Sequence, residues 1–146
     1  MKKMLLIASA LLLSTQVEAA CTQANLNGNY VMFQAAINHH NHNGRCTINI
    51  NAGALTGNCV FGHDANGVAG FSGPVYGTAT MNTNCSAVAA ISFDPVPGVV
   101  HIDSTFDLQF TPDKQSFVGG FSNTFGVEGI TNGTRYSTLL PATPAP

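Results

Sequence analysis

Hydrophobic and polar residues alternate one by one over long stretches of this chain, the period expected of β-strands. The clearest run is Val99–Phe110. Val100, Ile102, Ser104, Phe106, Leu108 and Phe110 fall on one face, and His101, Asp103, Thr105, Asp107 and Gln109 on the other. One buried and one solvated face predicts a strand of antiparallel sheet. After a turn at Thr111-Pro112-Asp113-Lys114, the return strand sets Phe117 opposite Phe110, Gly119 opposite Leu108 and Phe121 opposite Phe106. Gly44–Phe61 reads as a second hairpin, folded back at Ala52-Gly53. Asn51 meets Ala54, Ile50 meets Leu55, Ile48 meets Gly57 and Cys46 meets Cys59. Here the apolar pattern and the cysteine positions specify the same register independently.

The remaining segments follow the same logic. Asn29–Ile37 predicts a strand whose inward face is either Tyr30/Met32 or Val31/Phe33, and Asn38–Asn43 a polar loop. Residues 62–73 are glycine-rich and read as a loop. Pro74–Met81 and Cys85–Phe93 alternate on either side of an Asn82–Asn84 turn, which pairs Met81 with Cys85, Ala79 with Ala87 and Gly77 with Ala89. Asp94-Pro95-Val96-Pro97-Gly98 is expected to end that run, because proline cannot donate to a central ladder. A last strand covers Val127–Tyr136, and no helical periodicity occurs beyond the first residues. The predicted fold class is all-β: an antiparallel meander of about eight strands closing into an up-and-down barrel, with a β-sandwich as the alternative.

Composition places this domain in a compartment. Met1-Lys2-Lys3, the apolar run to Leu13, and small residues at Val17 and Ala19 form a bacterial-type secretory leader over residues 1–19. Residues 20–138 are then a single domain, and residues 139–146 a proline-rich flexible tail. Of five Lys+Arg and seven Asp+Glu residues, Lys2, Lys3 and Glu18 fall in the leader. That leaves Arg45, Lys114 and Arg135, too few cations to neutralise a row of phosphates, so nucleic-acid partners are excluded. No other stretch is long and apolar enough to span a membrane as a helix. Four cysteines in an exported chain predict two disulfides. The hairpin register assigns Cys46–Cys59 and leaves Cys21–Cys85. The expected location is the periplasm or the extracellular space.

Leu26-Asn27-Gly28-Asn29-Tyr30, Thr47-Ile48-Asn49-Ile50 and Gly53-Ala54-Leu55-Thr56-Gly57 resemble the first three strands of the avidin and streptavidin family. The resemblance implies an eight-stranded up-and-down barrel. Members of that family build the biotin pocket largely from tryptophan, and this sequence has none. No site residue is therefore carried over.

Three constellations carry candidate chemistry. His39, His40 and His42 lie in one loop and His63 in another that the topology brings to the same end, a possible set of imidazole ligands for Zn, Cu or Ni. The competing reading is a solvated polar loop. Gly77, Ala79, Ala87 and Ala89 are expected to face inward opposite Phe106 and Phe121, where small side chains could open an apolar cavity for a ligand. The competing reading is volume compensation, phenylalanines filling the space that alanines leave. Finally, His101, Asp103 and Asp107 share a face that Ser104 does not, so these neighbours cannot form a Ser-His-Asp triad. The functional expectation is a non-catalytic protein that binds a small apolar ligand or a protein partner. Metal binding and a structural or surface-interaction role are the alternatives.

Overall fold

The computed structural model describes residues 20–38, 41–62 and 70–137. The expected leader at 1–19, the residues His39, His40 and His63, and the tail at 139–146 lie outside the described residues.

Eight antiparallel strands follow one another in order: β1 (Gly28–Ala36), β2 (Asn43–Asn51), β3 (Ala54–Phe61), β4 (Ser72–Met81), β5 (Ser86–Val96), β6 (Val100–Phe110), β7 (Ser116–Asn123) and β8 (Glu128–Ser137). Each pairs with the next, and β8 pairs back onto β1, so the sheet closes as an up-and-down barrel and not as a sandwich. Closure leaves no unpaired edge. Two-residue alternation sends one set of side chains into a single core. From β2 these are Cys46, Ile48 and Ile50, and from β6 they are Phe106, Leu108 and Phe110, all buried. In β1 the inward set is Tyr30, Met32, Gln34 and Ala36, while Phe33 faces solvent.

The β2–β3 register is the one expected, with Cys46 opposite Cys59, and β6–β7 likewise sets Phe106 opposite Phe121. The β4–β5 register differs from expectation by two residues: Ala79 pairs with Ala89, Met81 with Ala87 and Gly77 with Ile91. The connection takes in Cys85 as well as Asn82–Asn84. Cys85 sits in the left-handed region at φ 65°. Its amide donates to the Asn82 carbonyl, and its own carbonyl accepts from the Phe110 amide. The Cys21–Cys85 disulfide holds it there, and Cys46–Cys59 is the second bridge. A shift of two leaves the inward face unchanged. β5 also runs through Asp94 and Pro95 to Val96; the ladder shifts register between Phe93 and Val96, an irregularity that accommodates the proline.

One end of the barrel is closed by a short 3-10 helix, Gln23–Leu26, for which the hydrophobic pattern gave no signal. Leu26 is completely buried. The Gln23 amide bridges two groups of β4, donating to the Ala79 carbonyl and accepting from the Met81 amide. The Tyr30 hydroxyl donates to the Leu26 carbonyl at 2.9 Å. The Arg135 guanidinium, from β8, donates to that same hydroxyl at 2.6 Å and to the Asn25 carbonyl, and lies 5.2 Å from the centre of the Tyr30 ring. Burial raises the Tyr30 pKa, against the lowering effect of Arg135. First strand, last strand and helix are thus fastened at a single point. The connections after β1, β3, β5 and β7 all emerge at the opposite end.

Candidate functional site

The inward side chains alternate in size from strand to strand, and this fixes where space remains. Near the closed end, Ala87 pairs with Leu108 and Ala89 with Phe106 across β5–β6. Leu26 and Tyr30 fill the centre. Ala79, Ala87, Ala89 and Phe106 consequently border a void of only about 20 Å³. Gly77 borders no described cavity, since a Cβ there would meet the Ala90 carbonyl on the neighbouring strand.

Space opens towards the other end. A cavity of about 340 Å³ is lined by Phe61, Phe71, Phe93 and Phe121 together with Gln34 and Ser104. Phe121 is the one expected cavity residue that borders it. Three of its phenylalanines form a layered cluster: Phe61 and Phe93 have centroids 5.3 Å apart at 29°, Phe71 and Phe93 are 5.1 Å apart at 34°, and Phe61 and Phe71 are 6.0 Å apart at 27°. Phe121 stands in the wall and stacks on Phe106, 5.5 Å away at 27°. The rim beyond Phe121 is shaped by the Asn123 carboxamide, whose oxygen accepts from the Phe125 and Val127 amides and holds the β7–β8 turn.

Two polar residues interrupt this apolar lining. Gln34 and Ser104 are 9 % and 7 % exposed. Gln34 lies on β1 between Gly44 of β2 and Thr131 of β8, and Ser104 lies on β6 between Ile91 and Asn123. Thr131 turns its hydroxyl to the Phe33 carbonyl and leaves Gln34 alone. Among the described residues, no carboxylate, lysine or arginine lines the cavity. His42 is among the described lining residues, with its ring set edge-on to Phe61 at 5.7 Å.

The expected imidazole cluster is represented by His42 only, because His39, His40 and His63 fall outside the described residues. Among the described residues, no three His, Cys, Asp or Glu side chains converge on a point where a metal ion would sit.

A polar cluster lies on the outer wall beside the cavity, where the alternation set His101 and Asp103 on one face and the structure adds Asp94, Ser92 and Tyr76. His101 Nδ1 is 2.7 Å from Asp94 Oδ1, and Nε2 is 3.0 Å from Asp103 Oδ1. Ser92 donates to the same Asp103 oxygen at 2.6 Å, and Tyr76 donates to Asp94 at 3.3 Å. The hydrogen bond to Asp94 is the main cause of a raised His101 pKa, and the Ser92 hydroxyl is the main cause of a lowered Asp103 pKa. The serine donates to a carboxylate and not to the imidazole, so it is not paired with the histidine as a Ser–His nucleophile is. The two carboxylates engage opposite ring nitrogens, which prevents them from sharing one ion. The cluster instead fastens the β5–β6 hairpin, whose Phe93, Pro95, Val100 and Ile102 form one side of the cavity. Asp94 lies in the segment expected to be a break, so the sequence pattern did not place it beside His101.

A wider groove of about 520 Å³ crosses the outer face between Phe33, Val60 and Ile130. Those side chains are about half exposed, so it is open surface and not an enclosed site.

No family model matches this chain, and no curated protein matches it. Solved structures do resemble it. A de novo designed fluorescence-activating beta barrel matches with a TM-score of 0.54 at 12 % identity, covering 79 % of this chain and 98 % of that one. A redesigned beta barrel, mFAP1, solved bound to DFHBI, matches with a TM-score of 0.54 at 13 % identity, covering 78 % of this chain and 97 % of that one. At such identities the likeness is one of fold: this chain is similar to designed beta barrels.

Proposed function

We propose that this protein is an exported barrel that binds a small, largely apolar ligand in the cavity at the end opposite the 3-10 helix. The observation that carries this reading is an aromatic-lined space of about 340 Å³ in an otherwise filled barrel, a volume within the usual range of about 300–1,000 Å³ for ligand pockets. A barrel selected only for stability would fill it, because unfilled apolar space costs packing energy. A barrel of this fold has been solved with DFHBI bound, so the architecture can hold a small molecule. Export is supported by the two disulfides, which persist in oxidising compartments, and by the leader pattern of residues 1–19.

The test is a fluorescence titration with N-phenyl-1-naphthylamine, a neutral apolar probe. Wild type takes up one probe per chain with saturation. Ile102→Trp, which fills the cavity from β6, abolishes uptake while leaving the fold intact by circular dichroism. Uptake that is unchanged by the filling substitution contradicts the proposal.

A further inference from the structure

We infer that the cavity is specific for uncharged, flat aromatic ligands that carry a hydrogen-bond donor and an acceptor on one edge, read by Gln34 and Ser104. The inference rests on the ligand-binding reading above and names the chemistry of the ligand.

The first argument is the state of the two polar side chains. Both are more than nine-tenths buried and line the cavity, yet neither the Gln34 carboxamide nor the Ser104 hydroxyl has a hydrogen-bond partner among the described residues. No fully enclosed side-chain N or O atom in the described structure lacks a partner. Both residues line the cavity, Gln34 also bordering the outer groove, so their polar atoms keep access to open space that water can enter. A purely apolar ligand would strip that water away and leave the carboxamide and the hydroxyl without partners, which is costly. A ligand edge with its own donor and acceptor restores the bonds. A carboxamide both donates and accepts, and the serine hydroxyl can do either, so the pair suits a lactam or amide-like edge.

The second argument is shape. Phe61, Phe71 and Phe93 lie within 34° of one another, with centroids no more than 6.0 Å apart. Such a cluster makes this side of the lining aromatic, and a planar aromatic body packs against aromatic rings better than a puckered aliphatic one does. The third argument is charge. Among the described residues the lining has no carboxylate, lysine or arginine, so an ionised ligand would be desolvated without a carboxylate, lysine or arginine from them to pair with.

The experiment compares three ligands of one bicyclic size by displacement of N-phenyl-1-naphthylamine near neutral pH. Quinolin-2-one carries the lactam edge, naphthalene has no polar edge, and 2-naphthoate is charged. Wild type is expected to bind quinolin-2-one at least about tenfold more tightly than naphthalene, the effect of one or two net hydrogen bonds, and 2-naphthoate most weakly. In Gln34→Met/Ser104→Ala, the lactam advantage falls to about twofold or less while naphthalene binds as well as before or better. Equal affinity for lactam and hydrocarbon in wild type overturns the inference, as does an advantage that survives in the double variant or a preference for 2-naphthoate. Should the double variant fail to fold, the wild-type comparison decides alone. If the probe binds but the lactam shows no preference, this inference fails and the binding proposal stands. If the probe does not bind, both fail.

Discussion

Phe61 and Gly44 stand directly opposite each other on β3 and β2, and the phenyl ring occupies the space that a Cβ on Gly44 would need. The same relationship recurs at Phe117 with Gly133 and Phe121 with Gly129 across β7–β8. In each case a glycine lets the ring of its cross-strand partner lie down along the barrel wall. At Gly44 the consequence is functional, since the Phe61 ring so placed is a member of the aromatic cluster at the open end. Gly44→Ala is expected to push that ring into the cavity. Stability falls by about 1–3 kcal/mol, the usual cost of overpacking, and probe affinity falls with it. Urea denaturation and probe titration of the one variant check both effects.

The closed end predicts the opposite separation. Arg135→Leu removes the donors to the Asn25 carbonyl and the Tyr30 hydroxyl. The expected loss is about 2–3 kcal/mol, appropriate to hydrogen bonds from a charged, partly buried donor. Tyr30→Phe, which forfeits the bond to the Leu26 carbonyl, should cost about 1 kcal/mol. Neither residue lines the open cavity, so probe affinity measured well below the unfolding midpoint stays at the wild-type value.

The two disulfides should differ in worth. Cys21–Cys85 joins residues 64 apart in sequence, and Cys46–Cys59 residues 13 apart. Chain-entropy arithmetic gives about 4 kcal/mol for the first and about 3 kcal/mol for the second. Cys21→Ala/Cys85→Ala is therefore expected to lower the urea midpoint more than Cys46→Ala/Cys59→Ala. The larger effect should be accompanied by loss of protection at the 3-10 helix in hydrogen exchange.

These results also show how far the residue pattern reaches. The β2–β3 and β6–β7 registers are legible because cysteines or phenylalanines mark the same face on both strands. The inward face of β1 is not, because Val31 and Phe33 are apolar on the outside too; inside, Tyr30 accepts a hydrogen bond from Arg135, 105 positions away, which no local pattern signals. The β4–β5 register turns on the left-handed conformation of Cys85, which lengthens the turn to Asn82–Cys85 and which residue alternation alone does not signal. Small inward residues at Ala79, Ala87 and Ala89 suggest space, but strand neighbours and Leu26 fill it. The open cavity lies instead where Phe61, Phe71 and Phe93 meet, from strands and loops that no local pattern brings together.

The Asp94–His101–Asp103 cluster gives a pH dependence whose sign follows from the two shifts. The raised His101 pKa means its contribution is fully present below its ordinary value of 6.5 and is lost as pH rises through the higher folded value. The lowered Asp103 pKa means its contribution is present above the ordinary 3.8 and is lost as pH falls through the lower folded value. Thermal stability of wild type minus that of His101→Ala should therefore be greatest in mildly acidic buffer, between those two values, and shrink towards alkaline pH. Because the groups are exposed, about 1 M salt should diminish the difference. A difference that grows from pH 6 to pH 9 would contradict the assignment.

The location of the ligand is the centre of this account, and two-dimensional amide NMR of the labelled protein titrated with quinolin-2-one tests it most directly. The account predicts saturable shifts clustered at Gln34, Phe61, Phe93, Ser104 and Phe121, with the closed-end residues Leu26, Tyr30 and Arg135 unmoved. Shifts centred on Phe33, Val60 and Ile130 would place the ligand in the outer groove and contradict it, and so would a spectrum that does not change.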